Sequence, residues 1–176
     1  MDWLNEPQTW SQDGDTLTVT ADGETDFWRV PGTHSDNGHL IYQALTGDFT
    51  ATVKFQGDYG TRYDQAGLML RESDTVWLKA GVELETQGLL ASVVLTRGYS
   101  DWGFTPLPDT IDFVWFRAVR EGGMINISYS LDGETYALIR QGFLTETATL
   151  QVGMMCAAPQ GGGFQTVFEQ FAIETK

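Results

Sequence analysis

The sequence is short of cysteine, histidine, positive charge and long apolar runs. Its single cysteine, Cys156, excludes an intramolecular disulfide and suits a reducing compartment. It stands between Met155 and Ala157 with no histidine close in sequence, so it reads as a small apolar strand residue rather than a nucleophile. Ten Lys and Arg against 24 Asp and Glu leave a net charge of −14. That balance argues against nucleic-acid partners, which need a basic stripe, and against docking on anionic membranes. Apolar runs long enough to span a bilayer are missing. Met1 to Glu6 lacks a basic n-region and an apolar h-region, so a cytoplasmic protein is the expectation. His34 and His39 lie near Asp36 in a Gly/Asp/Asn-rich segment, but spacing supplies no third zinc ligand. Asp36 and Asn37 offer oxygens of the kind calcium takes, without EF-hand spacing. No metal or cofactor is therefore expected, and no Ser-His-Asp triad can be assembled.

Helical periodicity is also missing, whereas period-2 alternation recurs. Asp48 to Phe55 places Phe49, Ala51, Val53 and Phe55 on one face. Gln65 to Arg71 places Ala66, Leu68 and Leu70 on one face, and Val76 to Glu85 does the same with Val76, Leu78, Ala80, Val82 and Leu84. Further strands are predicted at 16–20, 89–97, 111–120, 124–131, 135–140, 149–157 and 164–175. Glu121-Gly122-Gly123 and Asp132-Gly133 mark tight turns between them. Gly161-Gly162-Gly163 lacks the Lys-Ser/Thr and helix of a phosphate loop and reads as a hairpin loop. About ten to twelve short strands without a helix indicate an all-β, antiparallel two-sheet β-sandwich. No repeat or linker interrupts it, so residues 1–176 are expected to form a single domain.

The parity opposite to the core is unusual. Arg71, Trp77, Lys79, Glu83, Arg97, Trp115 and Arg117 fall on or near it, gathering cations and tryptophans in an acidic chain. Gln65 shares that parity. The segment Arg97 to Gly103, read as a loop, adds Ser100, Asp101 and Trp102; Thr25-Asp26-Phe27-Trp28 resembles it in composition. Tryptophan rings offer platforms for pyranose C–H faces, and fixed polar groups pair with vicinal hydroxyls. Cations would equally suit anionic sugars or small carboxylates.

Several segments carry a resemblance. Tyr63 to Arg71, Trp77 to Glu83, Ser92-Val93-Val94 and Ser100-Asp101-Trp102 are similar to the core pattern of the DUF1349 family, which includes a fungal protein described as a regulator of enolase. Thr25 to Trp28, Gly47-Asp48-Phe49, Val152-Gly153 and Pro159 fit the same pattern, in order along the chain. The resemblance implies a concanavalin A-like (lectin/glucanase-type) jelly roll and says little about activity.

Three readings follow. The first is a non-catalytic domain that binds a carbohydrate or small anionic ligand on the exposed, concave sheet face through Gln65, Arg71, Trp77, Lys79, Glu83, Arg97, Ser100, Asp101, Trp102, Trp115 and Arg117. The second is a saccharide-active enzyme with Glu83 and Asp101 as acid and base. Glucanases of this fold carry Glu-x-Asp-x-Glu on one strand; Val82-Glu83-Leu84-Glu85-Thr86 does not. The third is an interaction module for a metabolic enzyme.

Overall fold

Alternating apolar residues can bury one face of an extended chain and wet the other. In the computed structural model of residues Met1–Lys176, they do so in sixteen strands and no helix, so none is long and apolar enough to cross a membrane. With strands numbered in chain order, one seven-stranded antiparallel sheet runs β1 (Asp2–Leu4), β6 (His39–Thr46), β15 (Thr149–Ala157), β8 (Gln65–Ser73), β9 (Val76–Glu85), β10 (Gly88–Arg97), β11 (Tyr99–Pro106). The other runs β14 (Ala137–Phe143), β13 (Met124–Ser130), β12 (Val114–Glu121), β7 (Phe49–Gly57), β16 (Gly163–Thr175), β3 (Thr16–Asp22), β2 (Thr9–Asp13). A separate hairpin pairs β4 (Phe27–Val30) with β5 (Thr33–Asp36).

The two large sheets stack on a shared core. Phe49, Ala51, Val53 and Phe55 of β7 face Leu68, Leu78, Ala80, Val82 and their neighbours, with the parity read from the sequence. Phe55 and Phe116 set their rings 5.7 Å apart, and Phe55 and Phe168 are separated by 5.8 Å. Cys156 lies in this core on β15, where burial pushes its thiol well above the ordinary range. It is a packed apolar residue, as its neighbours suggested.

The largest departure from the sequence reading is on the far side of the first sheet. The expectation there is a wet face; the structure has a second apolar layer. Met69, Trp77, Val94 and Met155 project from the sheet and meet Phe27, carried by the β4–β5 hairpin. Trp77 is 1% exposed and Phe27 is fully buried, their rings 6.3 Å apart. The hairpin reverses at Pro31-Gly32, where Gly32 has φ 85°, the Pro-then-Gly chemistry of a type II turn. Strands β8 and β9 are thus covered on both faces.

Candidate functional site

The hairpin is held to the sheet by buried cations. Lys79, 5% exposed, donates to Asp26 Oδ1 at 3.2 Å and to the Phe27 carbonyl at 2.7 Å. Arg71, 8% exposed, donates at 2.7 Å to Oδ2 of Asp36, which pairs with Phe27 on the hairpin's second strand. The Arg29 amide donates to Ser100 Oγ at 3.0 Å, tying the middle of the hairpin to β11. Its base closes on itself, since the amides of Asn37 and Gly38 both donate to the Asp26 carbonyl. A charged side chain survives this far from water only when paired, and these are, although Arg71 Nε and Asp36 Oδ1 keep no hydrogen-bond partner.

One edge of the hairpin does not close against the sheet. A pocket of about 230 Å³ opens there. Trp28 and Trp102 contribute aromatic surface, Asp26, Lys79, Glu83 and Gln65 contribute polar groups, and Tyr63 and Val94 complete the lining. Trp102 is fixed by donating from Nε1 to Ser92 Oγ at 2.8 Å, and Ser92 in turn donates to Glu83 Oε2 at 2.6 Å. Gln65 donates to the Tyr63 carbonyl at 3.1 Å and to Asp26 at 3.3 Å. Tyr63 holds φ 71°, a backbone conformation that costs a non-glycine residue on the order of 1–3 kcal/mol. Its amide donates to the Leu84 carbonyl, and the Arg62 guanidinium lies 4.4 Å from its ring centre.

Burial raises the Glu83 carboxyl above its ordinary range; Lys79 and the Ser92 hydroxyl offset only part of this. Its folded-state value therefore exceeds the unfolded one. Its contribution to stability is present below about pH 4.3 and is lost as pH rises through the folded value. Glu83→Gln keeps an acceptor for Ser92 and removes that loss. The Tm of the variant relative to the parent is expected to rise from pH 4 towards neutrality and then level off. A difference that stays constant with pH, or falls, would contradict the assignment. Glu85, on the same parity, is a different group: the Thr86 hydroxyl and then Arg62 hold it down at about 2.

Of the residues singled out by sequence, Gln65, Lys79, Glu83 and Trp102 come together in this pocket. Arg71 and Ser100 anchor the hairpin, and Trp77 lies beneath it, so Trp77 offers no platform to a sugar. Trp115 and Arg117 belong to β12 in the opposite sheet, and Arg117 stacks on Tyr136 at 3.5 Å. The segment from Arg97 to Gly103 is not a loop: β10 ends at Arg97 and turns at Gly98 directly into β11. Arg97 lies out by Phe143, 5.1 Å from its ring centre. Asp101 pairs with Arg140 at 2.9 Å on the surface, so it does not face Glu83 as a catalytic partner would. Asp26, Trp28, Tyr63, Ser92 and Val94 were not among the expected site residues. His39 is buried: Nε2 accepts from the Asp22 amide at 3.0 Å, which leaves Nδ1 to donate to the Asn5 carbonyl at 2.6 Å.

The family described as "Protein of unknown function (DUF1349)" matches residues 3–176. "Regulation of enolase protein 1" of Saccharomyces cerevisiae is 36% identical over 173 residues, 97% of this chain and 87% of that protein. Among solved structures, a GH43 protein of Bacillus licheniformis (BlXynB, K247S mutant) is similar at TM-score 0.81 and 19% identity, over 99% of this chain and 37% of that one. Carbohydrate binding module CBM66 of Bacillus subtilis is similar at TM-score 0.65 and 14% identity, over 98% of this chain and 95% of that one. At these identities the two likenesses speak to the jelly-roll sandwich alone. The family match over nearly the whole chain and the yeast relative agree: the chain belongs to the DUF1349 family.

Proposed function

We propose that this chain is a non-catalytic binding domain whose pocket, under the edge of the β4–β5 hairpin, takes a neutral saccharide ring. The observation that carries this reading is the pocket lining: two tryptophans flank donors and acceptors that converge on one small volume. Sugars need both, a flat apolar platform and fixed hydrogen-bonding groups. The charges favour a neutral ligand over an anionic one. Two of the three Lys79 donors are taken by Asp26 and the Phe27 carbonyl, and Glu83 adds a second carboxyl. An anion would meet more negative than positive charge there. At about 230 Å³ the pocket falls below the roughly 300–1,000 Å³ of drug-sized sites, which favours one ring over a chain. The carbohydrate-binding name of the CBM66 neighbour agrees with this reading by analogy of fold.

Titration with a panel of neutral mono- and disaccharides, followed by tryptophan emission and calorimetry, tests it. Saturable binding of a neutral sugar is expected, with Trp28→Ala weakening it at least tenfold and a thermal melt verifying that the variant folds. Uronic acids that bind as well as their neutral counterparts would remove the charge reasoning. A panel with no saturable response would remove the saccharide.

The name of the yeast relative favours a second reading, a module that acts on a metabolic enzyme. Mixing the chain with purified yeast enolase and following sedimentation and turnover tests it. Independent sedimentation with unchanged turnover rejects it.

A further inference from the structure

The outer side of the second sheet carries a groove of about 300 Å³, away from the hairpin and its pocket. Its walls are apolar: Pro108, Ile111 and Phe113 from the approach to β12, Trp115 on β12, and Leu131 just beyond β13. Leu131 is 45% exposed, and Trp115 and Phe113 are only partly buried. Apolar side chains held this open at the centre of a concavity are the usual material of an anchor site.

The groove is also stiff. The indole of Trp115 lies over Gly133 so closely that a Cβ there would come within 3.1 Å of the ring. Its Nε1 donates to Gln170 Oε1 at 3.3 Å. Gln170 sits at φ 52° in a bulge of β16, a conformation unfavourable for a side chain of its kind. Turn 130–135 is pinned by Asp132, whose Oδ1 accepts from Ser130 Oγ and from the amides of Glu134 and Thr135. A platform that loses little freedom on binding spends less of its contact energy on ordering.

Charge decides the partner. Asp112 lines the groove, and Asp132 and Glu134 flank the glycine beneath Trp115, all three exposed. No Lys, Arg or His lines it. Two cations share this face: Lys54 lies 3.8 Å over the Phe113 ring and 5.6 Å over that of Trp115 but is paired to Glu169 at 2.7 Å, and Arg117 stacks on Tyr136 at 3.5 Å. Aliphatic and aromatic walls inside an acidic rim suit a peptide that inserts an apolar side chain between flanking lysines or arginines. They suit a saccharide less well, because few polar groups face inward. We infer that this groove docks a basic segment of a partner protein, anchored by a large apolar side chain.

A phage-displayed random dodecapeptide library selected on the intact chain tests this. Enriched peptides are expected to carry an aromatic or aliphatic anchor between basic residues, and to bind more weakly as salt rises. Trp115→Ala and Leu131→Asp are expected to weaken those synthetic peptides at least tenfold. Both positions are at the surface, and thermal melts verify that the variants fold. Four results overturn the inference: no enrichment; enrichment of acidic or neutral peptides; binding indifferent to both substitutions; or self-association through this face, seen by sedimentation and abolished by Leu131→Asp. None of these outcomes bears on sugar binding in the hairpin pocket, so the two assignments fail separately.

Discussion

Lys79→Met lowers stability by about 3 kcal/mol, because one partner of a buried charge pair is removed while the other stays in place. For a chain of this size that is a fall in Tm of roughly 6–12 °C. Methionine keeps the length and apolar stem of lysine, so the loss does not come from a cavity. It comes from Asp26, whose carboxylate loses its only cation, and from the Phe27 carbonyl, which loses its donor. The figure sits at the low end for buried pairs because the Asp26 side chain keeps 24% of its exposure. Asp26→Asn in the same background should recover part of the loss, giving a coupling energy of about 0.5–3 kcal/mol. Additive effects of the two substitutions would show that the pair does not hold the hairpin. Hydrogen exchange gives a second readout: residues 25–38 should exchange faster in Lys79→Met than the core strands do.

Gly81→Ala is expected to cost more, about 4 kcal/mol or above. Gly81 pairs with Gly67 on one side and Ser92 on the other, at the centre of the first sheet. A Cβ there would lie 1.9 Å from the Ala66 carbonyl oxygen and 2.7 Å from the Gly67 Cα. Both are backbone atoms, so no rotamer change relieves the contact. Ordinary overpacking, where side chains can shift, costs about 1–3 kcal/mol. Gly162→Ala is the control: nothing lies within 4 Å of its Cβ position, and its Tm should match the parent closely. A Gly81→Ala chain that melts within a few degrees of the parent would show that the two strands can part without cost.

Alternation alone located the sandwich core, since Leu68, Leu78 and Val82 fall inside as their spacing requires. It could not locate the second layer. Period 2 states which face a side chain leaves from, not what lies above it. Trp77, Lys79 and Arg71 leave from the outer face as read, yet they meet a hairpin instead of water. A signal for the hairpin was present: Phe27 to Asp36 is two short β-prone runs about Pro31-Gly32. So was the pocket's chemistry, in the likeness of composition between Thr25 to Trp28 and the segment around Trp102. Parity also cannot assign a strand to a sheet, which is why Trp115 and Arg117 were grouped with residues of the opposite one. Asp101 was grouped with Glu83 for a related reason. It has the right neighbours in sequence, but its strand turns it to Arg140 at the sandwich edge.

The hairpin that closes on itself at Asp26 makes the pocket's roof a cassette. Its two ends leave the sandwich side by side, and none of its residues enters the thirty-residue core between the sheets. The pocket's roof residues, Asp26 and Trp28, are therefore written apart from the core, while on its floor Gln65, Lys79, Glu83 and Val94 alternate with core residues along the same strands. A change of roof between Thr25 and Gly38, made to fit the sockets at Lys79, Arg71 and Ser100, would give the same sandwich a new lock.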